Sequence, residues 1–122
     1  MDKKIIFVAF AMEDEQYRDY LQWQSSNANA PFEYIDMSVK KAYVSAWKTK
    51  VRTRIQSSDG VIALISQNSL TSEGQLWEIK CAKEEGKAVM GLWIHKDEHP
   101  HIEGVRMYNW TWENVAKFVD SL

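Results

Sequence analysis

Glu78 is the residue whose type and placement most invite chemistry. It lies in "EGQLWEIKCAKEEGKAVMGLW", Glu73 to Trp93, a helix-like stretch that runs straight into an apolar segment. A glutamate on a helix surface is ordinarily three or four residues from a lysine, where the pair adds a few tenths of a kcal/mol. At those offsets Glu78 has Gly74, Gln75, Cys81 and Ala82, whereas Glu84 has Lys80 and Lys87 and reads as ordinary surface. A helical carboxylate with no lysine beside it is either an exposed helix residue or a group with chemistry to do. That chemistry would be holding hydroxyls, taking a proton, or stabilising positive charge in a transition state.

Other reactive groups point elsewhere or nowhere. His95, His99 and His101 in "HKDEHPH" have neither a supporting cysteine nor a helical i, i+4 pair, so they read as solvated loop residues and no metal site is expected. Glu13 and Asp14 would suit the metal pocket of a phospho-accepting receiver domain, but Ser66 and Gln67 stand where that domain needs its aspartate. The turn "AFAMED" has no glycine to let backbone approach a phosphate, and no Walker sequence occurs. A dinucleotide bound here would be a substrate, with no cofactor expected.

The elements that must position Glu78 are legible as an alternation of apolar runs and amphipathic stretches. Ile5 to Phe10 predicts a first strand, followed by a helix through Tyr17, Tyr20, Leu21 and Gln24 with Asp14 as its N-cap. "FEYIDMS" predicts a second strand, and Val44, Trp47, Val51 and Ile55 mark one face of a second helix. "VIALIS" predicts a buried third strand, the Glu78 helix comes next, and "KAVMGLWI" follows Gly86 as a fourth. Val105 to Trp110 gives a weaker fifth strand, after which Thr111 caps a helix showing Val115, Phe118, Val119 and Leu122 on one side.

This pattern predicts an α/β, flavodoxin-like three-layer fold: a five-stranded parallel sheet of order 2-1-3-4-5 with helices on both faces. Ligands in such folds gather beyond the carboxyl ends of the strands, near the switch point between the first and third. Phe10 and Ala11 at one strand end, Ser66 at the other, and Trp47 and Trp77 on flanking helices are therefore the candidate lining of a site around Glu78.

Bulk properties narrow the function classes. The 122 residues fit one domain, 1–122, with a core that buries roughly two-thirds of the unfolded surface. A net charge of -2 gives no global attraction to nucleic acid, and no run approaches the roughly 18 apolar residues of a membrane span. The lone Cys81 excludes an internal disulfide and favours a reducing compartment. "MDKKIIFVAFAME" imitates a signal peptide but is too short, and its removal would delete the first strand, so a cytoplasmic location is expected. Lys40, Lys41, Lys48, Lys50, Arg52 and Arg54 read as the wet side of the second helix.

Taken in order, "FVAFAMED", "SAWKTKVRTRIQSSDGVIALIS" and "LTSEGQLWEIKCAKEEGKAVMGLW" resemble the TIR-like family of bacterial Thoeris defence proteins across nearly the whole chain. The resemblance implies an enzyme that cleaves the nicotinamide–ribose bond of NAD and yields ADP-ribose or a cyclised isomer, with Glu78 at the position of the family's catalytic glutamate. It also implies self-association through the segment from Asp36 to Trp47, and a separate effector protein that senses the product. Two rival readings remain: a nucleoside deoxyribosyltransferase-like enzyme acting on free nucleosides, and a non-catalytic TIR-like interaction module.

Overall fold

The computed structural model describes residues 4–27, 32–34 and 47–122. Its strands are β1 (Lys4–Phe10), β2 (Phe32–Tyr34), β3 (Gly60–Ile65), β4 (Val89–Trp93) and β5 (Arg106–Asn109). The helices are α1 (Glu15–Asn27), α2 (Trp47–Ser57), α3 (Glu73–Glu84) and α4 (Trp112–Asp120). All pairings are parallel, in the order β2-β1-β3-β4-β5. Four strands form the body of this sheet, and β2 adds three residues at its edge, with Lys4 aligned to Phe32 and Ile6 to Tyr34. The remainder of the expected second strand lies outside the described residues, as does Val44.

Strand composition explains why both faces are covered. β1 and β3 are apolar throughout their central residues, so their side chains alternate between two cores. Ile6, Val8 and Phe10 join Ile62, Leu64, Met90 and Leu92 on the face that receives Leu21 of α1 and Val115 and Val119 of α4. Phe7, Ala9, Val61, Ala63 and Ile65 face the other way, against Val51 and Ile55 of α2 and Ile79 and Ala82 of α3. The parallel α/β architecture with helices on both faces is therefore present. Within it β1 lies between β2 and β3, so a protein lacking its first eleven residues would lack a central strand.

Helix ends follow local chemistry. Ser72 opens α3 by accepting the Gln75 N–H at 3.2 Å, and Thr111 opens α4 by accepting the Asn114 N–H at 3.1 Å. α3 ends where Gly86 adopts a φ of 71°, a left-handed conformation that lets the Lys87 N–H reach the Ala82 carbonyl at 2.9 Å. Gly91 in β4 serves packing instead. A Cβ there would collide with the Met107 sulfur and lie 2.9 Å from Val105 Cγ1, so only glycine lets the β5 segment close over this strand.

Candidate active site

The carboxyl ends of β1 and β3 lie side by side, with Phe10 aligned to Leu64. α3 descends from this edge, and Gln75 and Glu78, three residues apart, share its inward face; both are buried, with Glu78 2% exposed. The reading of Glu78 as an exposed helix residue is thereby corrected. The missing lysine marks burial: helix periodicity carries Gln75, Glu78, Ile79 and Ala82 to the side packed on the sheet. A carboxylate there has left water and needs compensation from protein or ligand, and Glu78 is engaged in an interaction of its own.

Gln75 ties the two strand ends together. Its Nε2 donates to the carbonyls of Ala9 at 3.0 Å and Leu64 at 2.7 Å. Because both partners are acceptors, the amide orientation is fixed and Oε1 must face away from them. That oxygen is buried and has no hydrogen-bond partner, so the inward face of α3 presents an open acceptor beside Glu78.

A second tie links the turns that follow the same strands. The Ser66 hydroxyl donates to Asp14 Oδ2 at 2.6 Å, Asn68 Nδ2 donates to Asp14 Oδ1 at 3.1 Å, and the Asn68 N–H donates to Ser66 Oγ at 3.1 Å. Asp14 is consequently 2% exposed and aims its carboxylate across the sheet edge. The expectation that Asp14 caps α1 is corrected: Ser66, just after β3, supplies a hydroxyl partner, and the 3-10 turn of residues Met12–Asp14 leads into α1 without a side-chain cap from Ala11. A cavity of about 270 Å³, lined by Met12, Glu13, Thr71, Ser72 and Glu73, opens at this edge between the segments that follow β1 and β3.

The other candidate residues divide between faces. Ala11 is buried at the β1 end, and its carbonyl accepts the Asp14 N–H at 2.8 Å. Ser66 is at the expected strand end, with its hydroxyl committed to Asp14 and Asn68. Trp47 and Trp77 meet edge-to-face at 5.2 Å on the α2–α3 side, with Lys48 and Arg52 over the Trp77 ring. Phe10 belongs instead to the α1–α4 core, with the Arg18 guanidinium 5.1 Å from its ring centre. Strand alternation separates it from Ala9 and the α3 face. Sequence reasoning missed Gln75, whose signal was its position one helical turn before Glu78, and Asn68, which carried no signal.

Charges near α3 are organised by α2. Glu84 pairs with Arg52 at 3.0 Å, a correction to its assignment to Lys80 and Lys87, and Arg52 also meets Glu85 at 2.6 Å. The hydrogen bond from Gln56, then that from Arg52, holds the Glu85 carboxyl below its ordinary range. Burial pushes the Cys81 thiol up. The histidines are ring partners: His99 stacks on Trp93 at 4.3 Å, His101 meets its edge at 5.7 Å, and His95 meets Tyr17 at 5.3 Å. Among the described residues no group of His, Cys, Asp and Glu is arranged to hold a metal, and no helix is long and apolar enough to cross a membrane.

Similarity to known proteins follows the same architecture. The TIR domain of the Toll-related receptor TRR-2 from Hydra magnipapillata superposes with a TM-score of 0.70 at 12% identity, over 94% of this chain and 97% of that one. The CMP N-glycosidase BcmB of Clostridium botulinum superposes with a TM-score of 0.60 at 17% identity, over 97% of this chain and 98% of that one. Among proteins of curated function none matches the sequence. The sequence profile of the TIR-like domain of the Thoeris protein ThsB matches residues 7–99, from β1 through α3 to the loop beyond β4, and the chain belongs to that family.

Proposed function

We propose that this protein cleaves the bond between nicotinamide and ribose in NAD, with Glu78 as the catalytic carboxylate. The observation that carries the reading is the burial of Glu78 on the inward face of α3, descending from the β1–β3 switch point where α/β sheets bind ligands. As the C1′–N bond breaks, its electron pair passes to the pyridinium ring and neutral nicotinamide leaves. Positive charge then accumulates on the ribose, and a buried carboxylate stabilises that oxocarbenium-like state more strongly than a hydrated one would. Water attacking C1′ and losing a proton gives ADP-ribose. An internal nucleophile gives a cyclised isomer with the composition of ADP-ribose minus water. Gln75 Oε1 supplies an acceptor for a ribose hydroxyl from the same helical face.

In this reading the product is a diffusible signal of antiphage defence, sensed by a separate effector in the cytoplasm. Ala11, Trp47, Ser66 and Trp77 stay attached to the proposal as the surroundings of the substrate, whereas Phe10 lies in the α1–α4 core on the other face of the sheet and leaves it. Self-association through Asp36 to Trp47 is retained too; apart from Trp47 that segment lies outside the described residues.

Nicotinamide release from NAD by wild type, Glu78→Gln and Glu84→Gln tests the assignment. Glu84 is an apt control because Arg52 keeps Glu85 when Glu84 is neutralised. Loss of one electrostatic contact in the transition state should slow Glu78→Gln by about a hundred-fold or more, with Glu84→Gln unchanged. Equal release by all three proteins would defeat the role of Glu78. The similarity to a CMP N-glycosidase supports a second reading, hydrolysis of a nucleotide's base–ribose bond by the same carboxylate. Cytosine release from CMP without nicotinamide release from NAD would select it, and activity on free nucleosides alone would select the deoxyribosyltransferase-like reading.

A further inference from the structure

The ends of β4 and β5 build a second, chemically different cavity of about 900 Å³. One wall is α1, whose Tyr17, Tyr20 and Gln24 recur at offsets of three and four and so share a face. Trp110 abuts that wall, meeting Tyr20 edge-to-face at 5.6 Å and donating its indole N–H to Gln24 Oε1 at 3.0 Å. The floor is Trp93 and Asn109, aligned across the last register of β4 and β5. The loop after β4 forms the rim, bringing His95, Lys96 and His99, and is held back by the Trp93 indole donating to the Pro100 carbonyl at 2.9 Å. No residue of α3 lines this cavity, although Trp93 of its floor also packs against the apolar cluster under α2 and α3.

Its lining specifies a ligand. Six aromatic or imidazole residues line the space; His99 stacks on Trp93 and Trp23 stacks on Tyr20, yet Tyr20 remains 51% exposed, which leaves ring surface for a flat guest to cover. The side chains of Gln16 and Asn109 are uncommitted among the described hydrogen bonds, and each amide offers donors and an acceptor to a heteroaromatic edge. Among the described residues of the lining Lys96 supplies a positive charge and no carboxylate occurs, although Asp97 and Glu98 follow Lys96 in the loop. The volume lies in the range of roughly 300 to 1,000 Å³ typical of small-molecule sites.

We propose that this cavity binds a purine mononucleotide, its base laid against the exposed ring of Tyr20 alongside the Tyr20–Trp110 contact and its phosphate at Lys96. The site is a binding site distinct from the carboxylate on α3, so the proposal does not depend on what Glu78 does.

Isothermal titration calorimetry of the full chain with AMP, adenosine and ribose 5-phosphate tests it. AMP should bind saturably, adenosine more weakly, and ribose 5-phosphate not at all. Tyr20→Ala should weaken AMP and adenosine alike, by roughly 5- to 150-fold for the loss of one stacking contact. Lys96→Gln should weaken AMP several-fold and leave adenosine as it was. Both side chains are exposed, so circular dichroism should report an unchanged fold for each variant. Absence of saturable AMP binding up to about 5 mM, a concentration beyond which binding is weaker than about 3 kcal/mol, would overturn the proposal. So would equal binding of ribose 5-phosphate, or AMP binding abolished by Glu78→Gln and indifferent to Tyr20→Ala.

Discussion

Two stretches of the same sheet edge, above β1–β3 and above β4–β5, are closed by opposite chemistry. Over β1 and β3 the buried side chains are Asp14, Ser66, Ser69, Gln75 and Glu78, and their polar atoms are largely spent on one another and on strand carbonyls. Over β4 and β5 the side chains are rings, touching through their edges around open space. The difference teaches where rigidity and recognition are placed. Spent hydrogen bonds fix two strand ends and the helix bearing a carboxylate, as precise electrostatics requires, whereas rings that touch one another around open space, with two uncommitted amides, leave room for a guest.

The most severe way to break the polar edge is Gln75→Glu. It removes both donors to Ala9 and Leu64 and sets a carboxylate against two carbonyl oxygens at a fully buried position. Stability should fall by about 3 to 5 kcal/mol, the cost of an uncompensated buried charge, read as a lower midpoint in urea. Glu78→Gln comes next: if the proposed NAD cleavage holds, it should raise the barrier to nicotinamide release by about 2.7 kcal/mol or more while the protein still unfolds cooperatively. Asp14→Ala should cost about 1 to 3 kcal/mol, because the Ser66 hydroxyl loses its acceptor in a buried setting. If Asp14→Ala were neutral, the polar edge would not be the rigid half of the comparison.

On the aromatic edge, Trp110→Phe keeps a ring but removes the indole donor to Gln24, and should cost only about 1 kcal/mol. A loss as large as that of Gln75→Glu would erase the contrast. The smallest effect belongs to the half-buried α2–α3 contact of Arg52 and Glu85. Glu85 has its carboxyl held low by Gln56 and then Arg52, so its contribution is present above the ordinary glutamate range and lost as pH falls through the lower folded value. Glu85→Gln should flatten that acid limb of a stability–pH profile and leave the neutral region nearly unchanged.

Legibility in the sequence followed distance along the chain. The Thr111 cap, the Val115–Val119 face of α4 and the strand at Val61 to Ile65 depend on residues a few positions apart, where periodicity and capping act. The lysine-free neighbourhood of Glu78 was legible too, although its meaning was burial. Glu84 went to Arg52 because α2 packs against α3, a neighbour that an i, i+4 rule does not see.

By itself the sequence determined the alternation of strands and helices, the two apolar faces of the sheet, and a glutamate without a lysine neighbour, Glu78, on the helix after β3. Only the tertiary structure decided that Asp14 meets Ser66 across 52 positions of chain and that Gln75 meets Ala9 across 66. It alone brought the tyrosines of α1 to the ends of β4 and β5. The reason is physical: local spacing selects which face a side chain points from, whereas its partner is set by strand order and helix packing, which bring distant segments within hydrogen-bonding reach.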